Sequence, residues 1–217
     1  MNKIKALLTT IVLLFGISGS GVADFKDGWV ASQKGDYKTA FNEWKALAEQ
    51  GDANAQYEIG SMYVFGDGVL KDYKEAAKWY RKAAEQGHAY AQYGLGVRYD
   101  KGKGVLKDDK EAVKWYRKAA EQGDAYAQYN LGVMYLKGRG VPESSKETVK
   151  WYRKAAEQGH ASAQYGLGFF YTIGVGLLKD LGKAKYWIKK AYENPEIKVS
   201  IKKLAKETWN EFELWKY

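Results

Sequence analysis

One nine-residue segment, WYRKAAEQG, occurs three times in the 217-residue chain, at positions 79–87, 115–123 and 151–159. Each copy begins 36 residues after the previous one, and related AEQG segments extend the same period back to residue 48. A constant period between about 20 and 50 residues is typical of solenoids and propellers, in which every repeat packs on its neighbours. A catalytic site needs its residues once, so this repetition favours a stacked scaffold over an enzyme.

Each 36-residue unit contains two amphipathic helical patterns. In the unit 72–107, the first pattern places Ala76, Tyr80 and Ala84 on one stripe and ends at Gly87, a residue that can adopt a left-handed backbone. The second pattern places Leu95 on its apolar stripe. Neither helix can bury its stripe alone, so the sequence predicts helical hairpins that form a continuous core by stacking.

A glycine recurs inside the second helix of every unit, although glycine costs about 1 kcal/mol relative to alanine in a helix. This recurrence predicts close contact between helices at Gly60, Gly96, Gly132 and Gly168. The residues just before these glycines are predicted to be buried: Ile59, Leu95, Leu131 and Leu167. Glycine pairs such as Gly102 and Gly104 lack the third glycine and the preceding strand of a dinucleotide site, which indicates turns.

The pattern A-x-A-Q-Y-x-L-G-x-x-Y-x-x-G-x-G-V, followed by D-Y-K-E-A-x-K-W-Y-R-K-A-A-E-Q-G, resembles the Sel-one-like repeat, a relative of the tetratricopeptide repeat. The resemblance covers essentially residues 25–192. It implies an all-α fold, a right-handed α-solenoid superhelix of stacked helix-turn-helix repeats. In tetratricopeptide terms, the L-G helix is helix A and the K-W-Y-R helix is helix B. On this basis we expect an opening half-repeat helix at 24–35 and the solenoid at 36–195.

Residues 196–217 no longer follow the repeat, and we expect them to form a capping helix, because solenoid ends need an element that is apolar only on its inner side. Its inner face is predicted to consist of Ile197, Ile201, Leu204, Thr208, Phe212 and Trp215. A helix that binds a partner or a membrane surface is the alternative.

The resemblance also implies a concave groove lined by helix A positions 2, 5, 9, 12 and 13, counting the first alanine of A-x-A-Q as position 1. The groove residues that we predict to contact a protein or peptide are Trp29, Tyr57, Phe65, Tyr90, Tyr93, Val97, Lys101, Tyr126, Tyr129, Val133, Lys137, Tyr165, Phe169 and Ile173. Aromatic side chains on an open face are typical of binding interfaces. Alternatively, the position 5 tyrosines pack between neighbouring A helices.

The N-terminus has the three-part layout of a secretory signal peptide: Lys3 and Lys5, an apolar run at 6–17, and small residues up to Ala23. We expect cleavage after Ala23, export to the periplasm or the medium, and no membrane span afterwards. An uncleaved anchor is the alternative, but the apolar run is shorter than the roughly 20 residues that a spanning helix needs.

Composition excludes several classes of site. The absence of cysteine rules out disulfides, thiolate metal sites and a cysteine nucleophile. The formal net charge is +9, and loss of Lys3 and Lys5 leaves +7. The basic residues lie mostly on helix B and could contact an acidic partner, an anionic envelope surface or nucleic acid. Pairing of Arg81 with Glu85 and of Lys78 with Glu75 favours a solvated outer face instead, and export argues against nucleic acid.

Signals for catalysis are weak. Ser200 and Lys203 form an S-x-x-K pair, as in serine β-lactamases, but no S-D-N or K-T-G accompanies it. His88 and His160 precede helix A where other units have aspartate, so we interpret them as helix caps rather than metal ligands. The sequence therefore predicts a non-catalytic scaffold for a protein or peptide, without metal or cofactor. The alternative is an envelope enzyme that acts on a β-lactam or peptidoglycan-like ligand. The partner's identity and the oligomeric state stay open.

Overall fold

The computed structural model describes residues 24–217, so the predicted signal peptide lies outside the described residues. Within this range the chain forms eleven α-helices, a final 3-10 turn and no β-strand. The helices are α1 Phe25–Gln33, α2 Tyr37–Glu49, α3 Ala53–Phe65, α4 Tyr73–Glu85, α5 Ala89–Lys101, α6 Asp109–Glu121, α7 Ala125–Leu136, α8 Ser145–Glu157, α9 Ala161–Ile173, α10 Leu181–Glu193 and α11 Val199–Glu211. The turn covers Leu214–Lys216.

Odd-numbered helices up to α9 are A helices and even-numbered helices are B helices. Each helix packs on the next along the chain, which gives an all-α repeat solenoid and confirms the predicted fold class. The four predicted core residues beside the helix A glycines are fully buried. No described helix is long and apolar enough to cross a membrane.

The repeated helix A glycines lie where the next helix B approaches closely. A Cβ atom added to Gly132 would lie 2.6 Å from Cδ1 of Tyr152, and one added to Gly96 would lie 2.7 Å from Cδ1 of Tyr116. Gly28 in α1 approaches Trp44 in the same way, at 2.5 Å. At Gly168 the neighbour is the Ile188 side chain, at 2.6 Å from such an atom. These distances confirm that glycine is required, because a side chain of the next helix B, usually a tyrosine or tryptophan ring, occupies the space.

A hydrogen-bond ladder explains why each unit carries one glutamine in helix A and another at the end of helix B. Gln92 Nε2 donates to the Ala84 carbonyl at 3.1 Å. The Gln92 side-chain oxygen accepts from Gln122 Nε2 at 2.7 Å, and Gln122 also donates to the Gly87 carbonyl at 2.9 Å. The same contacts recur around Gln56, Gln128 and Gln164, with Asn194 as the last donor. Because helix A glutamines are buried, the ladder satisfies their amides and fixes the register between units.

The tryptophans of helix B are buried, although the sequence analysis placed only alanines and tyrosine on its inner stripe. Trp79, Trp115 and Trp151 are between 3% and 7% exposed, and a lysine three residues later covers each ring. Helix B therefore buries two adjacent stripes rather than one.

The C-terminal segment differs in detail from its predicted inner face. Ala205, Thr208 and Leu214 are buried, and α11 packs on α9 and α10. Leu204 and Trp215, which the spacing assigned to the inner face, are 42% and 52% exposed, so that part of the prediction is wrong. The helix ends at Glu211, and Glu213 adopts a left-handed backbone with φ +49°, which turns Leu214 inward and Trp215 outward.

Candidate functional site

Side chains from successive A helices form two wells on one side of the solenoid, here called the groove face. The first well has a volume of about 490 Å³. Its lining residues come from α1, α3 and α5 and the N-cap of α5: Phe25, Asn54, Tyr57, Glu58, His88 and Tyr90.

The second well has a volume of about 660 Å³ and lies two repeat units further along the chain, where it repeats the arrangement of the first well. Five of its residues lie 72 positions after a residue of the first well, namely Tyr126, Tyr129, Asn130, His160 and Ser162, and α5 adds Tyr93. Ala161 and the C-terminal segment add the remaining wall, with Glu196, Lys198, Ser200 and Ile201. The two wells are two units apart, as are the histidine-capped helices α5 and α9, whereas aspartate caps α1, α3 and α7.

A three-ring stack forms the floor of each well. In the first, the Tyr57 ring lies between Tyr80 and His88, with ring centroids 5.8 Å and 4.8 Å away. In the second, Tyr129 lies between Tyr152 and His160, at 5.3 Å and 4.5 Å. Tyr57 and Tyr129 are half-buried: each packs against a helix B tyrosine and also lines its well.

The two histidines are helix N-caps, which confirms the interpretation from sequence. Nδ1 of His88 accepts from the Ala91 amide at 3.2 Å, and Nδ1 of His160 accepts from the Ala163 amide at the same distance. An imidazole nitrogen that accepts this bond must be unprotonated. Burial lowers the pKa of His160 to about 4 and also lowers the pKa of His88, so both rings are neutral at pH 7.

The predicted groove residues differ in accessibility. Those that are clearly exposed are Trp29, Phe65, Tyr90, Lys101, Tyr126, Lys137 and Ile173. Those that are half-buried are Tyr57, Tyr93, Val97, Tyr129, Val133, Tyr165 and Phe169. Val97 and Val133 pack against the core clusters, and Tyr165 contacts the Thr208 hydroxyl of α11 at 3.3 Å. The C-terminal helix thus covers the groove face at the last unit.

Glu58 and the C-terminal wall residues are the parts of the wells that the sequence analysis did not select. Glu58 is at position 6 of helix A, where the other units have Gly94, Asn130 and Gly166. Burial raises the pKa of its carboxyl group above the ordinary value. Glu58 is the only acidic residue at position 6 in the four full units, and this is the signal that could have identified it.

Ser200 lies in the first turn of α11 and lines the second well. Lys203 points to Glu207, with 3.8 Å between Nζ and Oε1. No hydrogen bond joins Ser200 to Lys203 in the described part of the chain. This geometry does not provide the activated serine that a β-lactamase mechanism requires.

Helix B carries a basic surface whose charges are largely partnered. Lys78, Lys114 and Lys150 form ion pairs with the glutamate three residues before each. Arg81 does not pair with Glu85 as predicted; its guanidinium donates to the Tyr99 hydroxyl at 2.6 Å, and Arg117 and Arg153 repeat this bond in their units. Packing between the helices brings the Tyr99 hydroxyl closer to the Arg81 guanidinium than Glu85, which lies on the same helix as Arg81.

Comparison with known proteins supports the same architecture. The sequence profile of the Sel1 repeat matches residues 53–88, 89–124, 125–160 and 161–195. A Sel1 repeat protein from Oxalobacter formigenes is 40% identical, with a TM-score of 0.74 over 78% of this chain and 70% of that one. A protective antigen present in uropathogenic Escherichia coli strains, which displays an SLR fold, is 46% identical, with a TM-score of 0.69 over 72% of this chain. The chain spans only 33% of that antigen's length.

A putative Sel1 repeat protein from Klebsiella pneumoniae shares the fold at 20% identity, with a TM-score of 0.53 over 87% of this chain and 91% of that one. A comparison with curated proteins found no significant match.

Proposed function

Because the chain belongs to the Sel1 repeat family, we propose that it is a non-catalytic scaffold that holds a protein or an extended peptide on its groove face. Solenoids of this kind use their extended inner surfaces to bind other proteins. The proposed contacts are the predicted groove residues, and the proposal includes no cofactor and no nucleic acid.

The observation that carries this proposal is the exposure of Tyr90 and Tyr126 at the rims of the two wells. Their side chains are 61% and 53% exposed, although both are large aromatic residues on otherwise packed helices. The fold does not need tyrosine at this position, because the same position in α9 is Ser162. Exposed tyrosines beside a concave surface are typical anchors of protein interfaces, since they bury a large area at a small entropic cost.

Crosslinking capture from the native envelope tests the proposal. We expect wild-type protein to retain a specific partner, and the double variant Tyr90→Ser with Tyr126→Ser to bind it at least about 30-fold more weakly, which corresponds to about 2 kcal/mol. The melting temperature of this variant should stay close to that of the wild type, because both side chains are mostly exposed.

A matched control reverses the charge of three exposed helix B lysines, Lys78, Lys114 and Lys150, to glutamate. This variant should bind the partner normally. Full binding by the tyrosine variant together with loss of binding by the lysine variant would show that the basic outer surface, and not the groove face, is the interface.

We also propose that the protein is exported and cleaved after Ala23, because residues 1–23 have the composition of a signal peptide. Amino-terminal sequencing of the native protein should give Asp24 as the first residue. Detection of intact Met1 would favour a membrane anchor.

A further inference from the structure

We propose that the first well is a binding site for a cationic side chain, a lysine or arginine of the partner, with Glu58 as its counter-ion. This inference rests on the proposed function and adds the chemistry of one anchoring contact. It is carried by the placement of one carboxylate among aromatic rings in an open cavity.

The rings of the first well pack on one another and form one of its walls, in which the exposed Tyr90 ring is open to a cation in the cavity. The Tyr57 and Tyr90 centroids are 6.0 Å apart, and the His88 centroid is 4.8 Å from Tyr57 and 6.0 Å from Tyr90. Phe25 completes the wall on the α1 side. Aromatic faces attract a cation within about 6 Å, and tyrosine is among the better rings for this contact.

Glu58 supplies the opposite charge that such a cation needs. In the described part of the chain, its carboxylate makes neither an ion pair nor a side-chain hydrogen bond, and burial raises its pKa. A half-buried carboxylate without a partner is destabilising, and a bound cation would compensate for that cost. The fold thus places an unpaired negative charge where aromatic rings accept a positive one.

The other charged groups around this well do not oppose a cation. Asp52, the N-cap of α3, lies near His88 and adds a second carboxylate. The His88 ring is neutral at pH 7, as shown above. Arg98, the nearby cation, is buried in the A-helix layer, stacks on Tyr73 and is not part of the well lining.

The second well offers a comparison within the same molecule. It has the same aromatic floor, but Asn130 replaces Glu58 and Lys198 lies at its edge. Its wall also holds Glu196, whose charge Lys198 balances, so the lining has no net negative charge to select a cation. Replacement of Glu58 by asparagine should remove the negative charge of the first well, as in the second well. Asn130 shows that the repeat accepts asparagine at this position.

Nuclear magnetic resonance titration with small probes tests the inference directly. The probes are the Nα-acetyl N-methylamides of lysine, arginine and the uncharged norleucine. We expect lysine and arginine probes to shift the backbone amide signals of Tyr57, Glu58 and Tyr90 in a saturable way, with a preference of about tenfold over norleucine. The variant Glu58→Asn should lose this preference while its spectrum retains the native dispersion.

Three results would overturn the inference: equal affinity for norleucine, unchanged affinity in Glu58→Asn, or no saturable shift up to the solubility limit of the probes. Saturable binding of either cationic probe in preference to norleucine, lost in Glu58→Asn, would support the inference.

The failure of this inference can be distinguished from the failure of the proposed function. Partner capture that depends on Tyr90 and Tyr126 but not on Glu58 would retain the groove interface and reject the cation site. Binding of the lysine probe at the first well, with partner capture indifferent to both tyrosines, would retain the cation site and reject the interface.

Discussion

At the residue scale, Arg98 is the buried side chain that fits its surroundings least well. The same position in the other A helices has Met62, Met134 and Phe170, all buried. Arg98 is 9% exposed, and its Nε and Nη1 atoms have no hydrogen-bond acceptor among the described residues. Its guanidinium lies 5.1 Å from the Tyr73 ring centroid, a favourable contact that replaces only part of its lost hydration.

We therefore expect Arg98→Met to stabilise the protein by about 1 kcal/mol or more, because an apolar side chain of similar volume removes an incompletely paired buried charge. Urea denaturation monitored by circular dichroism measures the change. The reverse substitution at the equivalent position, Met134→Arg, is the control and should be destabilising. A loss of stability in Arg98→Met would show that the stacking on Tyr73 outweighs the desolvation of the guanidinium.

The cap residue His160 makes stability depend on pH. Its pKa falls from 6.5 to about 4 on folding, so the folded protein favours the neutral ring. The corresponding stability is complete above about pH 6.5 and is lost as the pH falls toward 4. Because the ring is partly exposed, we expect a discounted loss of about 1 kcal/mol between pH 7 and pH 5.

Asparagine at position 160 keeps an N-cap acceptor but does not titrate. Urea denaturation at pH 7, 6 and 5 should therefore show a smaller loss of stability for His160→Asn than for the wild type. His88 titrates in the same direction in both proteins and cancels in the difference. Parallel pH profiles for the two proteins would mean that the folded protein does not discriminate against the protonated His160 ring.

At the element scale, the distance between neighbouring helices is fixed by glycine against tyrosine. Alanine normally favours a helix over glycine by about 1 kcal/mol, but at Gly132 its methyl group would meet the Tyr152 ring. We expect Gly132→Ala to destabilise the protein by about 1–3 kcal/mol, because the ring and the helix must move apart. The melting temperature and the urea midpoint report this change.

Gly182, in the first turn of α10, is the matched control. A Cβ atom there would approach only the Asp180 carboxylate oxygen, at 3.4 Å, and the helix backbone needs no glycine. Gly182→Ala should be neutral or slightly stabilising. Equal effects of the two substitutions would show that helix propensity, rather than contact between helices, decides the role of Gly132.

At the scale of the whole molecule, the two surfaces differ in charge although the formal net charge is positive. Helix B presents rows of lysine, many paired with glutamate or placed over tryptophan, whereas the first well combines tyrosine rings with an unpaired carboxylate. A total charge of +9 therefore does not describe the surface that we propose to bind a partner. Local charge near a site, and not the sum over the chain, governs which groups it attracts.

The sequence by itself determined the period, the helices, the histidine caps and the buried positions beside the helix A glycines. Leu95 and Leu131 are buried, and His88 caps a helix as expected, because these features depend on residues within one unit and one 3.6-residue periodicity. Because the sequence repeats, these buried positions and helix caps recur from unit to unit.

Only the tertiary structure decided which side chains share a well and how the chain ends. Glu58 and Tyr90 lie 32 positions apart in different units, and their proximity depends on how α3 and α5 stack. The second well needs Lys198 and Ser200 from beyond the repeats, and the left-handed Glu213 rotates Leu214 into the core against the helical spacing. Contacts of this kind arise from packing between elements, which local periodicity does not encode.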